Sequence, residues 1–273
     1  MIILIATQRS GTNMLRKVLA GHPNLWSLPE VFNNVYSAKR ALPHGIEFYE
    51  EYFLDRIRQN PESALPDNRS SVVSDYLAGI DEILKQQGCR GILDVKYNSL
   101  HHADGAWLTP GSLPEFFRII KSKNYKVIHL TRKDQLATVY SRFRARAAGR
   151  YNFSLKETVA PVRFAIPPAT FRRVLTSLER TQAVVSDWID SSGVRKIEIT
   201  YEDLFMRGPG SDFDKSRFYK LLDFLELDHE NFVPEAKTLK VSPRNFREEL
   251  DNFDELERFF RDTPWHEDFV RKD

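Results

Sequence analysis

The sequence predicts an α/β three-layer sandwich with a central parallel sheet, helices on both of its faces and a helical insertion. Short aliphatic and β-branched runs alternate along the chain with longer stretches that carry apolar residues at helical spacing. This alternation is typical of parallel strands joined by crossover helices. The 273 residues, 41% of them hydrophobic, suit one α/β domain better than two, and we expect a single domain over residues 1–273.

The elements follow from local patterns. Strands are expected at Met1–Ala6, Asn24–Leu28, Gly91–Tyr97, Lys126–Arg132 and Arg195–Tyr201. Helices are expected at Thr12–Ala20, His44–Gln59, Ser71–Gln87, Asp134–Gly149, Ala169–Ser191, Asp214–Glu226 and Leu250–Arg261, most of them closed by Gly or bounded by Pro. The second and third helices form a predicted helical insertion at about 43–90. The proline-rich and aromatic stretch 151–168 is a candidate acceptor lid, with a plain surface loop as the alternative.

Composition excludes several classes of protein. A net charge of +2 argues against a nucleic-acid binder, which carries a basic excess. No run approaches the length of about 18 apolar residues that a membrane span needs, and Met1–Ala6 is too short for a signal peptide. The single cysteine, Cys89, excludes an internal disulfide and favours a cytoplasmic protein. The seven scattered histidines indicate no metal site.

The first strand runs into the polar loop Thr7–Asn13 and then into a helix, which makes the predicted sandwich P-loop-like. A strand that ends in such a loop directs several backbone N–H groups at one spot, where phosphate binds. Arg9 adds a planar cation, and Gly11 allows the backbone to approach an anion closely. The loop lacks the second glycine and the lysine of a Walker A sequence, which disfavours an ordinary NTPase. The alternative is a strand-loop-helix turn whose polar residues only cap the helix.

A second anion anchor is suggested further along the chain. The strand that ends at Arg132 delivers this arginine to the sheet edge, and Ser141 follows about two turns into the next helix. The two side chains suit a second phosphate. The alternative is an arginine paired with a carboxylate and a serine bonded to the backbone.

Four segments resemble the sulfotransferases, in order and over most of the chain: "TQRSGTNMLRKVLAGHPNLWSLPEVF", "VIHLTRKDQLATVYSR", "ITYEDL" and "LLDFLEL". The likeness is closest to the bacterial carbohydrate branch, which includes the trehalose 2-sulfotransferase and nodulation-factor enzymes. The resemblance implies 3′-phosphoadenosine 5′-phosphosulfate (PAPS) as donor, adenosine 3′,5′-bisphosphate (PAP) as product and no metal. It implies the following donor-binding residues: Gln8, Arg9, Ser10, Gly11, Thr12 and Asn13 at the 5′-phosphosulfate, Arg132 and Ser141 at the 3′-phosphate, and Lys240 and Arg244 closing over the donor.

Three residues are candidates for catalysis: Glu30, Arg9 and Lys96. Glu30 follows the second strand, and the resemblance implies that it is the general base that takes a proton from the acceptor hydroxyl. Lys96 is suited to neutralise charge on the transferred group, with Arg9 on the leaving side. The alternatives are a surface glutamate and a partly exposed lysine. Some cytosolic relatives carry a histidine base two residues after the lysine; here Asn98 occupies that position.

The expected activity is therefore transfer of a sulfuryl group from PAPS to a hydroxyl of a carbohydrate or glycolipid. One alternative is a small-molecule kinase, in which Asp94 would end a magnesium-binding strand. Another is a nucleotide-binding protein without catalysis. Arg142, Arg146 and Arg150 share one helix face, which we expect to be solvated; the alternative is that it binds an anionic glycan or lipid acceptor. The sequence gives no indication of oligomeric state.

Overall fold

A computed structural model describes residues 1–33, 42–43, 45–104, 112–149, 162–205, 215–230, 232–234 and 246–270. Within these residues, five strands form one sheet in which every pairing is parallel. The strands are β1 (Ile2–Ala6), β2 (Leu25–Leu28), β3 (Arg90–Lys96), β4 (Lys126–Thr131) and β5 (Lys196–Thr200), in the spatial order β2-β3-β1-β4-β5. The predicted α/β class with a central parallel sheet is confirmed.

Helices and short 3-10 segments connect these strands. The described α-helices are α1 (Thr12–Leu19), α2 (Tyr49–Gln59), α3 (Arg69–Gln86), α4 (Glu115–Ser122), α5 (Gln135–Ala147), α6 (Pro168–Ser192), α7 (Tyr201–Phe205), α8 (Lys215–Leu225), α9 (Phe246–Glu249), α10 (Phe253–Phe260) and α11 (His266–Val270). The 3-10 segments are Pro61–Ala64, Pro66–Asn68 and Tyr97–Ala103. Among the described helices, none is both long and apolar enough to cross a membrane.

Two hydrophobic cores lie on opposite faces of the sheet. Ile3 and Ile5 pack in one core with residues of α3, α4 and the C-terminal part of α6, whereas Leu4 packs in the other with α1 and α8. The split within β1 arises because successive side chains of a strand point to opposite faces. Helices therefore cover both faces, which gives the predicted three layers.

A third core joins helices and, among the described residues, includes none of the strands. It unites α5, the N-terminal half of α6 and the three helices α9 to α11. Inside it, Arg144 forms an ion pair of 2.8 Å with Glu249, and the Tyr140 hydroxyl donates to the same carboxylate. Burial and this carboxylate together raise the pKa of Tyr140.

The structure corrects several predicted elements. Helix α4 and the 3-10 segment Tyr97–Ala103 were not predicted. The apolar residues of α4 (Phe116, Phe117, Ile119 and Ile120) have helical spacing, but the helix has only eight residues, a length that is also common for a strand. Arg132 and Tyr201 each follow the last residue of their strand and do not belong to it. The predicted lid 151–168 lies largely outside the described residues. Helices α2 and α3 fall within 43–90, while the bounds of the insertion and of the single domain stay predictions.

Candidate active site

Predicted site residues meet at one edge of the sheet. Because all five strands are parallel, their carboxyl ends lie together, and ligands of open α/β sheets bind outside such an edge. The loop after β1 lies between the ends of β3 and β4, its hydrogen-bonded neighbours. The five strands deliver, in chain order, the loop Thr7–Gly11, Glu30, Lys96, Arg132 and Tyr201 to this edge. Lys240 and Arg244 lie outside the described residues.

The loop after β1, here called the anion loop (Thr7–Gly11), has a strained backbone. Arg9 has a φ of 69° and Gly11 a φ of 96°, both in the left-handed region. For arginine this conformation costs energy, and it persists only where the surrounding structure enforces it. The buried Ser10 hydroxyl donates to the carbonyl of Thr7 at 2.8 Å, which closes the loop from inside. The Ser10 hydroxyl is thus engaged within the loop.

The N-terminus of α1 is open to an anion. Within the described residues, no side chain caps this helix, and its first turn holds no acidic residue. The first N–H groups of a helix have no partner inside the helix, and the helix dipole favours negative charge there. An anion at this position therefore meets backbone donors and no opposing carboxylate from the helix itself.

The Tyr201 ring forms one wall of the anion loop. It lies so close to Gly11 that a Cβ at this position would come within 2.9 Å of the ring atom Cε2 and closer still to Cδ2. The Arg132 guanidinium lies over this ring, with Cζ 4.9 Å from its centroid. Sequence analysis assigned no role to Tyr201. Gly11 is required both for its positive φ and for the space that the ring occupies.

We expect Gly11→Ala to lower the free energy of unfolding by about 2–4 kcal/mol, because an Ala at positive φ is strained and its methyl group overlaps the ring. Gly88→Ala is the matched control. Gly88 has a φ of 71°, but a Cβ there meets nothing within 4 Å among the described atoms. The control should cost only about 1 kcal/mol. Denaturant unfolding measures both, and equal losses would show that the Tyr201 wall is not rigid.

The residues predicted for two separate phosphate sites lie in contact. Arg9 Nε donates to Ser141 Oγ at 2.9 Å, across 132 residues of sequence. Arg132 Nη1 lies 3.5 Å from the Arg9 carbonyl oxygen, and Arg132 Nε lies 4.0 Å from Glu202 Oε1. Arg9 therefore reaches from the anion loop to α5, so that its guanidinium lies beside the serine predicted for the 3′-phosphate.

The prediction of a solvated basic face on α5 is wrong for Arg142. Its Nη2 donates to Thr7 Oγ1 at 2.5 Å and to the Gln8 carbonyl at 3.4 Å. Burial lowers the pKa of this guanidinium, although an arginine stays charged in any ordinary buffer. Arg142 thus adds positive charge under the anion loop. Arg146 is exposed as expected, and Arg150 lies outside the described residues.

Lys96 contacts both α1, the helix that follows the anion loop, and Glu30, the predicted base. Its Nζ donates to Thr12 Oγ1 at 2.6 Å and lies 3.7 Å from Glu30 Oε1. It also forms an ion pair with Asp94 Oδ1 at 2.8 Å. Lys96 is 3% exposed, so the alternative of a partly exposed lysine is wrong. The other oxygen of Glu30 accepts from Asn33 Nδ2 at 3.1 Å.

The segment after Glu30 enters an aromatic cluster. Phe32 stacks on His102 at 5.5 Å between ring centroids and contacts Tyr49 and Tyr76. Burial lowers the pKa of His102 to about 4, mainly because the charged imidazolium loses its hydration there. The aromatic cluster therefore packs a neutral His102 against the chain that holds Glu30.

This pKa predicts a loss of stability in acid. His102 binds a proton in the unfolded chain below a pH of about 6.5, but in the folded protein only below about 4. Stability should therefore fall as pH decreases from 6.5 to 4, by about 1–2 kcal/mol after discounting for its partial exposure. His102→Asn should reduce the dependence of stability on pH in this interval, and His266→Asn, a control in α11, should not. Urea unfolding at several pH values measures the effect, and an unchanged slope in His102→Asn would contradict it.

Comparison with known proteins assigns no family to the chain. No protein-family model and no curated protein matches the chain. Among solved structures, it is similar to the sulfotransferase domain of the olefin synthase of Synechococcus PCC 7002, with 21% sequence identity and a TM-score of 0.42. The alignment covers 90% of this chain and 82% of that domain. This likeness is too distant to transfer residue roles or an activity.

Asp94, Arg16 and Arg142 are site residues that sequence reasoning missed or misassigned. Asp94 is fully buried beneath α1, and Arg16 of this helix lies 3.5 Å from Asp94 Oδ2. A charged residue inside the otherwise apolar strand "GILDVK" is the signal that marks Asp94. Among the described residues, no group of three or more His, Cys, Asp and Glu side chains is suited to hold a metal ion.

Proposed function

We propose that the protein is a PAPS-dependent sulfotransferase that transfers a sulfuryl group to a hydroxyl of a carbohydrate or glycolipid. The observation that carries this proposal is the contact of Arg9 with Ser141, joined by Arg132 at the Arg9 carbonyl. Arg9 and, from a part of the sequence more than 120 residues later, Arg132 and Ser141 form one cationic and hydroxyl-bearing surface beside the N-terminus of α1. A donor with phosphate groups on both sides of a ribose requires such an extended surface. AMP or a single phosphate requires only part of it.

The proposed chemistry is an in-line displacement at sulfur. The acceptor oxygen forms a bond to sulfur as the bond from sulfur to the bridging oxygen breaks, and PAP departs with that electron pair. Glu30 takes the proton of the acceptor hydroxyl. Lys96, held within 3.7 Å of Glu30, lies where it would stabilise charge on the transferred group. Because the transition state of such transfers is loose, positioning and electrostatics supply most of the rate enhancement.

The surroundings of Asp94 disfavour the kinase alternative. A kinase needs a carboxylate available to Mg²⁺ beside the phosphate loop. Here Asp94 is buried between two cations, Lys96 Nζ at 2.8 Å and Arg16 Nη1 at 3.5 Å. A magnesium ion would have to displace the ammonium group from the carboxylate.

A transfer assay with two labelled donors tests the proposal. The protein is incubated with ³⁵S-labelled PAPS, or with γ-labelled ATP and Mg²⁺, and with a panel of mono- and disaccharides, glycolipids and, as non-carbohydrate hydroxyls, aliphatic alcohols and phenols. The proposal expects label from PAPS in a sugar or glycolipid and none from ATP. Label from ATP alone would establish the kinase alternative, and PAPS transfer only to non-carbohydrate hydroxyls would overturn the acceptor class. A cytoplasmic location stays a prediction.

A further inference from the structure

The ammonium group of Lys96 lies in a nest of oxygen atoms under the anion loop. Thr12 Oγ1 lies at 2.6 Å, the two oxygens of Asp94 at 2.8 and 3.1 Å, and Glu30 Oε1 at 3.7 Å. The Asp94 side chain is fully buried and that of Lys96 is 4% exposed. These oxygens belong to three different segments: the start of α1, strand β3 and the turn after β2.

The same types of oxygen hold Mg²⁺ in P-loop NTPases. There the cation is bound by the hydroxyl of a Ser or Thr at the start of the loop helix and by an aspartate of a second motif. In this chain Thr12 begins α1, and Asp94 lies on β3, the strand paired with β1. An ammonium nitrogen thus lies between a hydroxyl and a carboxylate of the kinds that otherwise share a divalent cation.

The net formal charge around Asp94 also agrees with that of the Mg²⁺ site in P-loop NTPases. Mg²⁺ with one aspartate has a net charge of +1. Here Arg16 lies 3.5 Å from Asp94 Oδ2 on the helix side of the carboxylate, and its Nε donates to Ser27. Lys96, Arg16 and Asp94 together therefore also have a net charge of +1. If Glu30, 3.7 Å from Lys96 Nζ, is counted in both arrangements, the net charge is zero in each.

We propose that Lys96 is an internal substitute for a divalent cation, and that Asp94 is the positioning residue that holds it there. Thr12, Asp94 and Glu30 then form a cation seat that the ammonium group fills in the wild-type protein. The role of Lys96 at the donor deepens the proposed function and rests on it. The seat itself rests only on the geometry of these side chains.

Removal of the ammonium should convert the seat into a metal site. Lys96→Ala leaves the hydroxyl and the carboxylates around an open space, and a divalent ion would draw in Thr12 Oγ1 by roughly half an ångström and Glu30 Oε1 by roughly 1.5 Å. We expect this variant to bind one Mn²⁺ with a dissociation constant on the order of 10⁻⁴ to 10⁻³ M, as sites with few carboxylates do. Free Mn²⁺ measured by electron paramagnetic resonance gives the affinity without any donor nucleotide. The wild-type protein should not bind Mn²⁺ at this affinity.

Two control variants distinguish Mn²⁺ binding at the cation seat from Mn²⁺ binding to any carboxylate that has lost its lysine partner. Lys85→Ala removes a lysine that also lies 2.8 Å from an aspartate, Asp81, but outside the site. This variant should not bind Mn²⁺ at the same affinity. The double variant Lys96→Ala/Asp94→Asn should lose the binding, because it lacks the central ligand. Binding by Lys85→Ala at the same affinity, or by the double variant, would overturn the inference.

Thermal unfolding keeps the inference falsifiable if Lys96→Ala folds poorly. A ligand that binds only the folded state raises its stability, so Mn²⁺ should raise the melting temperature of Lys96→Ala and leave that of the wild type unchanged. If the variant is unfolded without metal, Mn²⁺ should restore its circular dichroism. Absence of both binding and stabilisation would contradict the cation seat. This result would be independent of PAP binding by the wild-type protein, the failure of which would instead contradict the proposed function.

Discussion

Glu30→Gln is expected to lower the rate of sulfuryl transfer by roughly 10² or more, since general base catalysis contributes about 10²–10⁴-fold. The substitution keeps the shape of the side chain, and its amide oxygen can still accept from Asn33 Nδ2, which lies 3.1 Å from the native carboxylate. The affinity for PAP should remain nearly unchanged, because the proposed function assigns Glu30 to the acceptor hydroxyl and not to the nucleotide. Rates with ³⁵S-labelled PAPS and calorimetry with PAP measure the two effects separately.

Glu62→Gln is the matched control for this prediction. Glu62 is an exposed glutamate in the 3-10 segment Pro61–Ala64, remote in sequence from every predicted site residue. It should leave both quantities unchanged. If Glu30→Gln weakens PAP binding by the same factor as it lowers the rate, Glu30 holds the donor and is not the base.

Arg132→Ala is expected to weaken PAP binding by roughly 10- to 150-fold, the equivalent of one charge-assisted hydrogen bond of about 1.5–3 kcal/mol. The arginine lies over the Tyr201 ring and beside the Arg9 carbonyl, so its guanidinium is oriented before any ligand binds. AMP binding should weaken much less, because AMP lacks the 3′-phosphate assigned to Arg132. Calorimetry with both nucleotides gives the ratio.

Lys133→Ala tests whether any nearby cation has the same effect. Lys133 is adjacent in sequence, is largely exposed and forms an ion pair with Asp203 at 3.2 Å. Its loss should change the affinities for PAP and AMP little, because exposed charges are screened by solvent. Equal weakening of PAP and AMP in Arg132→Ala would show that this arginine does not recognise the 3′-phosphate.

The inner strands β1, β3 and β4 were predictable from sequence because they are buried on both faces. Runs such as Met1–Ala6 and "VIHLT" are nearly continuous in aliphatic residues, a pattern typical of a parallel sheet covered by helices. Helix α4 was missed because of its length: its apolar residues have helical spacing, but eight residues are as typical of a strand as of a helix. The third core was also missed, since it depends on contacts between α5 and helices more than 100 residues later in the chain.

The sequence indicated several residues of the site but not the contacts between them. Order and spacing indicated Arg9, Arg132 and Ser141, but their direct contact follows from the pairing of β1 with β4, which no local pattern determines. Arg142 was misassigned because helical spacing places residues on a face without indicating what covers that face. For Arg142 the covering element is the anion loop, whose Gln8 lies 134 residues earlier in the chain.

Calorimetric titration of the wild-type protein with PAP in EDTA, alongside ATP with Mg²⁺, tests the central claim most directly. The account predicts one PAP site per chain that needs no divalent cation, binds AMP more weakly and does not bind MgATP with comparable affinity. Binding of MgATP with no binding of PAP would contradict it.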